Sequence, residues 1–261
     1  MISVDAIRDG LDKGEFFLEY LPTVSLADGR CTGAEALARW RRPSGVVQPG
    51  DFIPVVEGTH LAGMLTYWVL ETVAAELGDW LRQHPKAHIG VNVPPEILGR
   101  GGLEYAAAKS GLSDVRSQIV LEVTERGIPD MLGVATLEAA SRSGVRIALD
   151  DVTLTGAHLA VLSRCTLDMI KTDRSLVGQI TPDGPRPAWL TGLSALLRST
   201  RVAVIAEGVE TAAQAAALRA AGIPMAQGYY FSRPISAEKF RAYYAGGEGS
   251  GGPGHPVGPS A

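Results

Sequence analysis

The chain is poor in everything that staples or anchors a small protein. It has two cysteines, Cys31 and Cys165, far apart and outside any CxxC spacing. That excludes a disulfide framework and a zinc knuckle, and leaves both as buried free thiols. No apolar run approaches the roughly 18 residues of a membrane span. The opening MISVDAIRDGLDKGEF lacks the basic-then-apolar order of a secretory leader, so no membrane insertion and a cytoplasmic location are expected. No basic stripe offsets the net charge of −4, so a polymeric nucleic acid is not expected as a partner, while a small phosphorylated ligand held through metal ions stays open. Aromatic residues are only 6% of the chain.

What is present suits one sizeable domain. The 261 residues are 46% hydrophobic and 20% charged, and an α/β barrel commonly needs about 250 residues. Residues 1–245 read as that domain. The stretch 246–261, GGEGSGGPGHPVGPSA, is too rich in glycine and proline to bury itself and reads as a disordered tail. Helical segments, among them Val4 to Lys13, Met64 to Arg82, Met131 to Ser143 and Ala212 to Ala221, alternate with apolar runs read as strands. The runs are EFFLEYLPTV, CTGAEALARW, HIGVNVP, QIVLEVTE, RIALDD, LDMIKTD, VAVIAEGVE and MAQGYYF. Several are almost continuously apolar, as strands covered on both faces are. Periodicity alone fits a closed TIM-like (β/α)₈ barrel or an open doubly wound sheet, with the barrel favoured.

The ends of these runs carry the functional signal. In order they present Glu35, Asn92, Glu122, Asp150, Lys171, Glu207 and Gln227. Each alone is explained as a helix cap or a loop hydrogen bond. Together they converge, because a parallel barrel gathers the carboxyl ends of its strands on one face. Four carboxylates in one mouth repel unless a cation compensates them. Hard oxygen donors point to Mg²⁺ or Mn²⁺ rather than zinc. His60, His84, His88, His158 and His255 all fall away from the strand ends and read as solvated or core groups. Asp151, directly after Asp150, allows two ions to share the site. Glu210 reads either as support for Glu207 or as a cap for the helix beginning near Thr211.

The segments EALARW, PGDFIPVVE, VNVPP, LEVTER, IALDD, DMIKTDRS, VIAEGVET and QGYYFSRPI, spread over about residues 5 to 244, resemble the EAL-domain family of cyclic di-GMP phosphodiesterases. The resemblance implies a modified barrel with one antiparallel strand, two Mg²⁺ or Mn²⁺ ions, and hydrolysis of cyclic di-GMP to linear pGpG. It makes Glu35, Asn92, Glu122 and Asp150 ligands of one ion, with Asp150 bridging to a second that Asp151 also binds. Lys171 resembles the lysine that contacts the nucleophilic water, and Glu207 a glutamate that binds metal or acts as general base. Arg39 resembles the arginine that holds a substrate phosphate, Gln227 an amide beside the metals and substrate, and Glu125 the glutamate that anchors the loop after the paired aspartates.

Two departures stand out. Where the family usually continues Phe-Gly-Thr-Gly-Tyr-Ser-Ser after the aspartates, this chain has Val152-Thr153-Leu154-Thr155-Gly156-Ala157-His158. In the family that loop helps to order the second metal and the dimer interface, so its change points to slow or partner-activated turnover and undermines a simple transfer of the homodimer. Leu21, in LEYLP, stands where the family typically has glutamine. A non-catalytic cyclic di-GMP sensor and a protein-interaction module are the alternatives. Regulation is expected from a separate protein.

Overall fold

The computed structural model describes residues 2–94, 98, 109–124, 131–153 and 167–249. Nine strands occur in it: β1 Phe16–Ser25, β2 Cys31–Arg42, β3 Gly45–Val47, β4 His88–Asn92, β5 Ile119–Thr124, β6 Arg146–Val152, β7 Met169–Thr172, β8 Ala203–Ala206 and β9 Met225–Ala226. Hydrogen bonding runs β1-β9-β8-β7-β6-β5-β4-β2, and β1 then pairs with β2 to close the ring. β1 is antiparallel to both of its neighbours, and the pairs from β2 through β4, β5, β6, β7 and β8 to β9 are parallel. The barrel is thus closed and mixed, with the one antiparallel strand expected. β3 lies outside the ring, as a hairpin on the far end of β2.

Helices cover the outside: α1 Val4–Asp12, α2 Pro49–Val56, α3 His60–Gln83, α4 Met131–Ser143, α5 Arg174–Val177, α6 Ala188–Ser199, α7 Ala212–Ala220 and α8 Ala237–Gly249. The long α3 shows why they dock. Leu61, Leu65, Val69, Val73, Leu77 and Leu81 recur every fourth residue and are buried, forming one apolar stripe along a helix of 3.6 residues per turn. Its start is set by Thr59, whose hydroxyl accepts from the Leu61 N–H at 3.2 Å. α7 opens on a capping box between Thr211 and Gln214. The cap is therefore Thr211 rather than Glu210, whose carboxylate is exposed. α8 continues to Gly249, into the stretch read as tail; residues 250–261 lie outside the described residues.

Side chains two residues apart on a strand share a face, and that rule builds the lumen in layers. Val120, Ala148, Met169 and Ile205 form one buried apolar cluster, with Ala203 and Met225 against it. Two residues further along the same strands come Glu122, Asp150, Lys171, Glu207 and, after Met225, Gln227. An apolar plug therefore supports a polar ring one layer above, at the carboxyl ends of the parallel strands.

Two sequence expectations need correction. Glu35 does not end its strand: β2 runs on to Arg42 because Ala36 to Trp40 pair with β1, and Trp40, Arg41 and Arg42 with β3. MAQGYYF is strand only at Met225–Ala226. The chain turns at Gly228, whose φ is +149° and which lies against the Val209 backbone where no Cβ fits. Cys31 is buried and free as expected, and Cys165 lies outside the described residues. Among the described residues no helix is long and apolar enough to cross a membrane.

Candidate metal centre

Lys171 is the hub of the polar ring. Its side chain is 1% exposed, and its Nζ lies 2.8 Å from Glu122 Oε2, 2.8 Å from Glu207 Oε1, 3.1 Å from Glu35 Oε2 and 3.2 Å from Asp150 Oδ2. Carboxylates from four strands thus meet on one ammonium. Two amides complete the ring. Asn92 Nδ2 donates to Glu35 Oε1 at 2.9 Å. Gln227 Nε2 donates to Glu35 Oε2 at 2.7 Å and to Glu207 Oε1 at 2.8 Å, and Gln227 Oε1 accepts from the Thr23 hydroxyl at 3.2 Å. β1 thereby contributes to the ring through Thr23, a residue that sequence reasoning passed over.

Backbone detail makes room for these groups. A Cβ on Gly90 would collide with the Glu122 carboxylate, so the glycine lets that side chain lie across β4. Asp151 is the described non-glycine residue with a positive φ, +55°, and the β6–β7 register slips between Leu149 and Val152. A regular strand would send Asp150 and Asp151 to opposite faces. The bulge turns the second carboxylate back toward the first, and the Asp151 N–H donates to Asp150 Oδ1 at 2.8 Å.

The outcome is two sets of convergent carboxylates, Glu35 with Glu122 and Asp150, and Asp150 with Asp151 and Glu207, each with ligand oxygens within 4.8 Å of one another. Asp150 belongs to both. Four carboxylates surround one ammonium and Asp151 stands beside Asp150, and the electrostatics register the excess. Burial first, then the neighbouring Glu35 and Asp150 charges, push Glu122 well above the ordinary carboxylate range against the pull of Lys171. Burial also raises Asp150, and raises Glu207 well above normal, again opposed by Lys171. Glu35 is held low: burial opposes its charge, but Lys171 and hydrogen bonds from Asn92 and Gln227 prevail. On Lys171 burial disfavours the charge, and the carboxylates overcome it, lifting the ammonium well above its usual value. A set of hard oxygen donors with surplus negative charge fits divalent cations of the Mg²⁺ or Mn²⁺ type.

The structure therefore brings together Glu35, Asn92, Glu122, Asp150, Asp151, Lys171, Glu207 and Gln227. Arg39 stands apart from the ring, further along β2, with its Nε donating to Glu19 Oε2 at 2.8 Å. Glu125 and residues 154–158 lie outside the described residues. His88 is a core group as expected: it is buried, its Nε2 has no hydrogen-bond partner, and burial, then the Arg146 charge, push its pKa down to about 3.

Comparison with known proteins gives this geometry a context. Residues 4–234 match the family model described as EAL domain. The chain is 32% identical over 243 residues to the probable cyclic di-GMP phosphodiesterase PdeB of Escherichia coli K12, covering 90% of this chain and 45% of that protein. It therefore spans less than half the length of that relative. An uncharacterized Mycobacterium bovis protein is 35% identical over 250 residues, covering 90% of this chain and 80% of its own length. The solved PaMucR phosphodiesterase in complex with c-di-GMP superposes with a TM-score of 0.82 at 31% identity, covering 91% of this chain and 98% of that one.

Proposed function

The chain belongs to the EAL-domain family, and from that premise we propose that it is a metal-dependent phosphodiesterase hydrolysing cyclic di-GMP to linear pGpG. One observation carries the reading: two carboxylate sets that share Asp150 stand at the mouth of the barrel around a buried lysine. The names of PdeB and of the PaMucR complex support the substrate.

Glu35, Glu122 and Asp150, with the Asn92 amide, would hold one Mg²⁺ or Mn²⁺ ion, and Asp150, Asp151 and Glu207 the other. Bound there, such a pair supplies a water of lowered pKa and neutralises charge on the scissile phosphate. The protein's own groups do the rest. Lys171 orients the attacking water, and Glu207 accepts its proton. Gln227 fixes Glu35 and Glu207 relative to each other. Arg39 holds a phosphate oxygen while the water attacks phosphorus in line with the departing 3′ oxygen. We extend the proposal to a cytoplasmic setting and control by a separate protein.

Binding without turnover is the second reading. It is favoured by Leu21, which stands opposite Glu35 in the β1–β2 register and gives that carboxylate an apolar neighbour. Incubation with cyclic di-GMP and Mg²⁺ or Mn²⁺, with chromatography for pGpG, separates the two. Product from the wild type and none from Glu35→Ala is the expected result. Tight binding without pGpG in either ion would leave a sensor, and absence of both would sink the cyclic di-GMP assignment.

A further inference from the structure

Arg39 is already paired. Its Nε donates to Glu19 Oε2 at 2.8 Å and its Nη1 to the Ala38 carbonyl at 3.0 Å. Alternation along β2 places Glu35, Leu37 and Arg39 on the lumen face, and the antiparallel register sets Leu21 opposite Glu35, Glu19 opposite Leu37 and Phe17 opposite Arg39. Cross-strand partners share a face. Glu19 therefore rises into the lumen one pair above Glu35 and one pair below Arg39, between the carboxylate ring and the guanidinium. The Glu19 side chain is 32% exposed against 7% for Arg39, so the carboxylate is the more solvent-accessible member of the pair.

We infer that Glu19 competes with the substrate phosphate for Arg39 and so sets the affinity of the site for its dinucleotide. The inference rests on the phosphodiesterase reading and on the place of Arg39 in it. Carboxylate and phosphate oxygens make the same charge-assisted hydrogen bonds to a guanidinium. An arriving phosphodiester must displace Glu19 or settle for an arginine whose charge is already balanced. In the second case the Glu19 charge also repels it at close range. Either route costs affinity, and no carboxylate in the metal ring is altered by it.

The test is the dissociation constant for cyclic di-GMP in Ca²⁺, whose looser coordination positions an attacking water less strictly than Mg²⁺. Glu19→Gln keeps an acceptor for the Arg39 Nε–H and removes the charge; Glu19→Ala removes both. Both variants are expected to bind roughly tenfold more tightly than wild type, the scale of one hydrogen bond to a charged group. In Mg²⁺ the same ratio is expected in KM. Arg39→Gln should weaken binding, and adding Glu19→Gln to it should bring no further gain, because the two changes share one interaction. Wild-type binding with equal or weaker binding by both Glu19 variants would overturn the inference and make Glu19 a brace for a buried arginine. No binding by any of the proteins would overturn the phosphodiesterase reading along with it.

Discussion

An ammonium within 3.2 Å of four carboxylates and 1% exposed is tolerable only while each charge is answered. Lys171 is the answering charge when divalent ions are withheld, so removing it should be felt most in chelator. Lys171→Met is expected to lose about 3 kcal/mol of unfolding free energy in EDTA and to recover most of it in Mn²⁺, as read by urea denaturation. An equal loss in both conditions would show that the ions do not replace the ammonium's charge. A second residue-scale prediction concerns His88, lowered from 6.5 to about 3. Between those values the unfolded chain takes up a proton that the folded chain refuses, so stability falls as pH falls through that window, by at most about 1.4 kcal/mol per pH unit. His88→Gln removes this uptake. The stability advantage of wild type over the variant should therefore shrink between pH 6.5 and pH 4; a constant difference would contradict the assignment. At this scale the ring was legible in sequence, because Glu35, Glu122, Asp150 and Lys171 break apolar runs that packing would otherwise fill. Gly90 and Glu19 were not: the first works by lacking a side chain, and the second gains meaning only from the partner strand.

Among the elements, β6 is the one whose irregularity shapes the carboxylate site. Its bulge holds Asp151 at a φ of +55°, with a carboxylate oxygen within 4.8 Å of one on Asp150. Asparagine adopts this backbone region readily, whereas a β-branched residue does not. Asp151→Asn is expected to melt within a few degrees of wild type but to bind one Mn²⁺ fewer per chain. Asp151→Val should also cost about 1–3 kcal/mol of stability. Unchanged ion binding in Asp151→Asn would remove Asp151 from the second set of ligands. The adjacent aspartates were legible in sequence, but the bulge was not, since an unbroken strand reading sends them to opposite faces. Element existence was otherwise plain for the eight runs of the ring. The three-residue β3 was missed because Gly45–Val47 is too short to show a period; β1 carries β2 past Glu35 as far as Trp40, and β3 carries it on to Arg42.

For the molecule as a whole, alternating strands and helices fitted a closed or an open sheet, and the β1–β2 pairing decides for closure. Closure brings β2, β5, β6, β7 and β8 onto one centre, so ions bound there would tie strands distant in sequence. Ligands that bind only the folded state raise its stability by about 2.7 kcal/mol at a hundred times their dissociation constant, so saturating Mg²⁺ or Mn²⁺ should raise the melting temperature of the whole barrel in one transition. The most direct test of the two-ion centre is the number of Mn²⁺ ions bound per chain in wild type and in Asp150→Ala, counted at saturation alongside pGpG formation. Two ions and turnover in wild type, with both ions weakened and turnover abolished in Asp150→Ala, is the result expected of a ligand shared by both sets. Two tightly held ions or near-normal turnover in Asp150→Ala would contradict it.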